Sequence, residues 1–370
     1  MKILKTCLSK SWGGLEMVTL QTVKQLLNRN IETELLCLPN SRIYSEAVNN
    51  GIKVYTSKFS GYFHPFEIFN TAKLLRINKY DIVHCGTSKD LWLMTPALKF
   101  SNLTTPLLLS KHMGSYIIKK DVLHKWIYNR VNFALAISKV IAKNLTDTTP
   151  LTQERIILLH NGIDTNKFDP SKVSSKIVRD EFNIPDNDVL IGMTARFSPG
   201  KGHEDFLYTT KHLSEKYGNL KFMIVGEPSK GEDEYGYQIR TLASELGITD
   251  KTIFTGYRSD IPEILAALDI FVFPSHAEAF GIALVEAMCM EKPSVCSNSD
   301  GVLDIAVDGV TSYMFQKQNW HHLADKLELL IQSPEKRNEF GKAARKRVLE
   351  LFDIEVFTNK LIEIYLKTMN

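Results

Sequence analysis

Residues 269–290 read DIFVFPSHAEAFGIALVEAMCM. The run from Asp269 to Pro274 is apolar on both faces, as a strand buried in a parallel sheet is. A polar loop follows through Ala279, and a helix begins near Phe280 or Gly281. Strand, loop and helix in that order form the unit from which parallel α/β sheets are built. Such sheets bind ligands beyond the carboxyl ends of their strands. Amides at a helix start can hold phosphate oxygens. Glu286 lies in the second turn, among Ala, Leu, Val and Met. A carboxylate there is costly to bury unless it is hydrogen-bonded, and ribose hydroxyls would supply those bonds.

The same alternation runs through the rest of the chain. VLIGMTA (189–195), KFMIVG (221–226), TIFTG (252–256) and PSVCS (293–297) complete one strand set with DIFVFP. An earlier set comprises KILKTCLS (2–9), TELLCL (33–38), KVYTS (53–57), DIVHC (81–85), LLLS (107–110) and ALAIS (134–138). Between the sets, NGIDTNKFDPSKVSSK (161–176) is polar and carries Gly, Pro and Ser. The expected fold is α/β, with two doubly wound, Rossmann-like domains facing across a cleft. Their boundaries are set at 1–168 and 169–350, with a helical tail over 351–370.

Composition narrows the class. The 370 residues are 44% hydrophobic and 24% charged, with a net charge of +3. Disorder is excluded. The five cysteines form no CxxC pair, which argues against a zinc ribbon or a redox dithiol. No run approaches the ~18 uncharged apolar residues of a membrane span, and the start lacks signal-peptide features. The expected location is the cytoplasm. Charge is divided unevenly: residues 1–170 hold 22 Lys and Arg against 12 Asp and Glu, whereas 171–370 hold 23 against 30. The first half is therefore expected to meet something anionic.

Several loops can carry chemistry. Ser11-Trp12-Gly13-Gly14 follows the first strand, and its glycines allow close backbone approach to a ligand. The GxGxxG of dinucleotide sites is absent. In Arg196-Phe-Ser-Pro-Gly-Lys201-Gly-His203, two cations flank a Pro-Gly turn at a strand end. That pattern suits a diphosphate, with Arg as a fork and Lys as a point charge. His84 and His112 close two strands of the first half. No paired-His or Cys/His spacing suggests a metal. Asp186-Asn187-Asp188 precedes its strand and reads as a turn. Lys119, Lys120, Lys125 and Trp126, with the aromatic run YFHPFEIF (62–69), suit an anionic membrane surface. No nucleic-acid recognition motif accompanies them, so nucleic acid is not an expected partner.

Glu278 and Glu286, seven residues between them and Phe280-Gly281 inside the interval, resemble the E-x7-E motif of retaining family-4 glycosyltransferases with the GT-B fold. The resemblance extends in order through Gly13-Gly14, DIVH at Asp81, His112, Asn161-Gly162-Ile163-Asp164, Arg196 with Lys201-Gly202, and Phe254-Thr255-Gly256. It implies that Arg196 and Lys201 bind a donor diphosphate, with Gly14 approaching it. Glu286 would hold the ribose, Glu278 the sugar hydroxyls, and the Phe280 and Gly281 amides the sugar or phosphate. His112 would sit by the transferring sugar, and Tyr257 and Arg258 near the base. Catalysis would rest on His112, Glu278, Arg196 and Lys201; Trp12, Glu16 and His84 would face the acceptor.

The implied reaction moves a sugar from a nucleotide diphosphate to a hydroxyl of a glycan or lipid-linked acceptor. It would serve lipopolysaccharide or other surface-polysaccharide synthesis. It would need no metal or other cofactor, only the nucleotide sugar as co-substrate. The implied enzyme is peripheral on the inner face of the cytoplasmic membrane, and its C-terminal helix returns to the first domain. A soluble transferase with a small acceptor, or an inactive GT-B scaffold, are the competing readings.

Overall fold

A computed structural model describes residues 1–59, 61–229 and 231–369. The chain forms two compact units, Met1–Gly162 with Glu355–Asn370, and Ile163–Ile354. The first unit thus ends before the expected 168, and the second runs past the expected 350.

The first unit holds seven strands: β1 (Lys2–Cys7), β2 (Glu32–Cys37), β3 (Val54–Thr56), β4 (Ile82–Cys85), β5 (Leu107–Lys111), β6 (Phe133–Ala136) and β7 (Ile156–Leu158). All pair in parallel, in the order β3-β2-β1-β4-β5-β6-β7. The central strands are buried on both faces, which is why they read as unbroken apolar runs. The C-terminal helix Ile354–Met369 packs its Phe357, Leu361 and Tyr365 into this unit's interior. Arg29 reaches from the helix Gly14–Asn28 to Glu355 and Asn359 of that helix.

The second unit holds six strands: β8 (Val189–Thr194), β9 (Leu220–Val225), β10 (Thr252–Gly256), β11 (Ile270–Phe273), β12 (Ser294–Ser297) and β13 (Ser312–Phe315). They too are all parallel, in the order β10-β9-β8-β11-β12-β13. Each sheet grows outward from its first strand and then reverses, at β1/β4 in one and at β8/β11 in the other. Ligands of open α/β sheets lie outside the strand carboxyl ends at such reversals. The loops after β8 and β11 are therefore singled out by topology as well as by sequence.

Two strands lie outside the sequence expectation, β7 and β13. Both are edge strands, short and only partly buried, so their apolar signal is weak. The basic, aromatic stretch 116–130 is helical only over Val122–Tyr128. Asp188 donates its amide to the Pro185 carbonyl at 3.1 Å just ahead of β8, so Asp186–Asp188 is a turn at the amino end of the strand. All five cysteines are buried and unpaired. Among the described residues no helix is long and apolar enough to cross a membrane.

Candidate active site

The loop after β8 runs from Ala195 to Gly202 and feeds the helix His203–Lys216. Phe197 anchors it: the ring is buried and stacks on His203 with centroids 4.6 Å apart. Gly200 and Gly202 both take left-handed φ, 83° and 79°, which a side chain resists. At Gly202 space is also decisive, because a Cβ would lie 2.3 Å from the Pro274 carbonyl oxygen. The loop after β11 is thereby pressed against the loop after β8. The His276 amide donates to the Gly200 carbonyl at 2.8 Å, and His276 Nε2 lies 2.7 Å from Asp205 Oδ2.

This seam brings Lys201 to Glu278. Lys201 Nζ donates to Glu278 Oε2 at 2.7 Å across 77 residues of sequence. The Glu278 carbonyl accepts the Gly301 amide at 2.9 Å. Ser297 and Ser299 donate to the Ser275 carbonyl at 2.5 and 3.1 Å, fixing the loop from its other side. Arg196 is exposed, with Nε 3.4 Å from Glu232 Oε2. Glu232 accepts from Ser198, and that bond, with Arg196 nearby, holds its carboxyl below the usual range. Both cations thus rest on carboxylates at the carboxyl end of the second sheet.

Glu286 occupies the helix Ile282–Cys289, half-buried. Burial pushes its carboxyl up to about 7, with Lys167 pulling the other way. The helix begins after Gly281, whose φ is 108° and whose missing Cβ would crowd the Phe273 ring at 3.3 Å. Phe280 turns its side chain into the core against Phe352, with ring centroids 5.7 Å apart; only its backbone faces the loop's chemistry. Tyr257 is exposed after β10. The Arg258 guanidinium donates twice to Glu181, at 2.6 and 2.8 Å, and twice to Asp260, at 2.8 and 2.7 Å. It clamps two segments of the unit together with four of its five N–H bonds.

In the first unit, Gly14 opens the helix Gly14–Asn28 directly after the glycine loop. Glu16 is buried, and its Oε2 accepts the Gly13 amide at 2.9 Å. It caps that helix through this one carboxylate oxygen. Trp12 packs on the β1–β2 core, with the Arg42 guanidinium 4.9 Å above its ring. His84 is buried, with Nδ1 2.6 Å from the Tyr365 hydroxyl and Nε2 2.8 Å from Ser110 Oγ, so both ring nitrogens have partners inside the unit.

His112 is half-buried at the carboxyl end of β5. Burial, with Lys5 and Lys111 nearby, pushes its imidazole down to about 3, so it is neutral over any ordinary working pH. Lys120 and Lys125 are exposed, Lys119 is half-buried, and Trp126 lies under Lys99 at 4.3 Å. Among the described residues no group of three or more His, Cys, Asp or Glu could hold a metal ion. The sequence reading did not single out the His276–Asp205 and Arg196–Glu232 pairs as parts of the site. Only the fold brings their members, 71 and 36 residues apart, into contact.

The fold is that of solved glycosyltransferases. A glycosyltransferase from Rickettsia africae superposes with a TM-score of 0.90 at 23% identity, covering 100% of this chain and 98% of that one. Anabaena HepE, crystallised with UDP-glucose, superposes with a TM-score of 0.84 at 22% identity, covering 99% and 100%. Two parallel, doubly wound Rossmann-like units are the architecture of the GT-B fold. The family described as "Glycosyltransferase Family 4" matches residues 12–167, and "Glycosyl transferases group 1" matches 174–347. The chain belongs to the family-4 glycosyltransferases of GT-B fold. A relative in Escherichia coli, UDP-Gal:alpha-D-GlcNAc-diphosphoundecaprenol alpha-1,3-galactosyltransferase, is 22% identical over 382 residues, covering 99% of this chain and 96% of its own length.

Proposed function

We propose that this glycosyltransferase moves a sugar, with retention of anomeric configuration, from a nucleoside-diphosphate donor to a hydroxyl of a lipid-linked glycan, in the synthesis of a surface polysaccharide. The observation that carries the reading is the grouping of Lys201, Glu278 and Arg196 on the two loops at the β8/β11 reversal. Sugar transfer makes two electrostatic demands. The departing diphosphate gains negative charge, and two side-chain cations beside a helix start answer that, in the role a metal ion fills elsewhere. The anomeric carbon becomes oxocarbenium-like, and the departing phosphate both offsets that charge and accepts the acceptor's proton. Glu286 binds the ribose, Glu278 orients the sugar hydroxyls, and Tyr257 lies by the base. Gly14 gives the donor close backbone approach. A neutral His112 serves the sugar without adding a cation beside the developing charge. The UDP-galactose donor and diphosphoundecaprenol acceptor of the Escherichia coli relative, and the UDP-glucose complex of HepE, support the donor and acceptor classes. The test is transfer from a nucleotide sugar to a diphosphoundecaprenol-linked acceptor, with the product read by NMR. An α-linked product from an α-linked donor is expected; a β-linked product contradicts retention.

The same reading seats the first unit on an anionic bilayer, as a peripheral protein on the inner face of the cytoplasmic membrane. Phe63, Phe66, Tyr116 and Val122 are 76%, 84%, 104% and 85% exposed. The two segments that carry them are joined through Tyr62, Trp92 and His124, with ring centroids 5.2 and 5.3 Å apart. Exposed apolar side chains interleaved with Lys120 and Lys125 fit headgroups and their negative charge. Co-sedimentation with phosphatidylglycerol vesicles is expected at low salt and should weaken as salt rises. Absence of binding at low salt contradicts the docking.

A further inference from the structure

Lys111 ends β5 with its side chain about nine-tenths buried. Its Nζ donates to Ser88 Oγ at 3.2 Å, in the loop after β4. The Tyr128 hydroxyl is buried near the same serine and completes no hydrogen bond. Lys119 is half-buried close by. Its segment is fixed: the Lys119 amide donates to the Thr148 carbonyl at 2.6 Å, and the Asn144 side chain exchanges two hydrogen bonds with the Ser115 backbone, at 2.8 and 2.9 Å. Two ammonium groups and two hydroxyls therefore meet beyond the carboxyl ends of β4 and β5, where open α/β sheets take ligands.

Among the described residues no carboxylate pairs with either lysine. Burial pushes the Lys111 ammonium down to about 8, Lys119 pushes the same way, and no acidic group pulls back. Burial lowers Lys119 as well. Asp90, the acid of the Ser88 loop, is taken up elsewhere: it accepts the Thr6 and Thr87 hydroxyls, each at 2.6 Å, and the Leu8 and Thr87 amides. A water would leave the repulsion between the two ammonium groups in place, whereas an anion relieves it. A diphosphate offers one charged phosphoryl group to each lysine and oxygens to both hydroxyls. Directly before Lys119, the side chains of Tyr116, Ile117 and Ile118 are exposed, an apolar path beside the cations. We infer that Lys111, Lys119, Ser88 and Tyr128 bind the diphosphate of a polyprenyl-linked acceptor, with its prenyl chain leaving over Tyr116–Ile118. The site lies wholly within the first unit, and the inference rests on the lipid-linked acceptor proposed above.

The test is calorimetric titration of the full chain with farnesyl diphosphate, with farnesol, and with UDP, GDP, ADP and dTDP, in the wild type, Lys111→Met and Lys119→Met. Farnesyl diphosphate is expected to bind the wild type, and to bind each variant at least ~10-fold more weakly. Farnesol should bind far more weakly than the diphosphate, and the nucleoside diphosphate that binds the wild type should bind the variants alike. Lys111→Met should melt no lower than the wild type, because it removes a buried charge; Lys119→Met, at a more open position, carries the test if Lys111→Met does not fold. Lys111→Met should also sediment with phosphatidylglycerol vesicles as the wild type does, which separates an acceptor's diphosphate from a bilayer headgroup. The site is overturned by a wild type that ignores farnesyl diphosphate, by equal affinity in the variants, by farnesol binding as tightly, or by loss of vesicle binding in Lys111→Met. If a nucleoside diphosphate still binds, that failure strikes this site alone; silence toward all four nucleotides strikes the transferase reading instead.

Discussion

Lys201→Ala is expected to lower turnover by ~10²–10³-fold, the loss that follows removal of one preorganised donor to a developing anion. The melting midpoint should stay near that of the wild type. Lys201 is paired with Glu278 in a partly exposed position, with side chains 28% and 19% accessible, and such pairs contribute about 0–1 kcal/mol to folding. The effect therefore falls on the reaction. Arg196→Ala should act in the same direction with a smaller loss, because Arg196 is more exposed and its contact to Glu232 is longer. Lys201→Arg should not restore full activity, since a planar fork does not replace a compact point charge. Near-wild-type turnover in both alanine variants would remove the diphosphate assignment.

Glu286→Gln is expected to give a more stable and less active protein. The Glu286 carboxyl titrates at about 7 in the folded chain against an ordinary value of 4.5. Between those values the folded state binds more protons than the unfolded one, so stability through this group falls as pH rises from 4.5 to 7. The full penalty is present above pH 7 and absent below 4.5. A complete shift of that size would correspond to about 3 kcal/mol. Because Glu286 is half-buried, solvent relieves part of it, and about 1–2 kcal/mol is expected at pH 8. Denaturant midpoints of wild type and variant should diverge from pH 4.5 to 8 and nearly coincide at pH 4. Loss of the carboxylate should meanwhile raise KM for the nucleotide sugar. A variant less stable than wild type at pH 8 would show the carboxylate to be satisfied inside the chain, with no need of a ribose.

The loops that carry the site were legible because a parallel strand buried on both faces is an unbroken apolar run, and DIFVFP and VLIGMTA are such runs. Their neighbours in the sheet were not legible. Nothing in either stretch says that β8 lies beside β11, which starts 76 residues on from the end of β8. The edge strands escaped for the opposite reason: SYMF and IIL are short and half-exposed. Charged residues were the least readable. Glu16, His84 and Arg258 each hold contacts inside their own unit that no spacing reveals, as a cap, a core histidine and a clamp. Spacing gives the chemistry a side chain can perform, and only folded neighbours decide whether its donors and acceptors are already taken.

The central claim is that Lys201 and Arg196 grip a nucleoside diphosphate. Calorimetric titration of the wild type and of Lys201→Ala with UDP, GDP, ADP and dTDP tests it most directly. One of these diphosphates should bind the wild type and bind Lys201→Ala at least ~10-fold more weakly, a difference of about 1.4 kcal/mol. Silence toward all four, or equal affinity in the two proteins, would contradict the account.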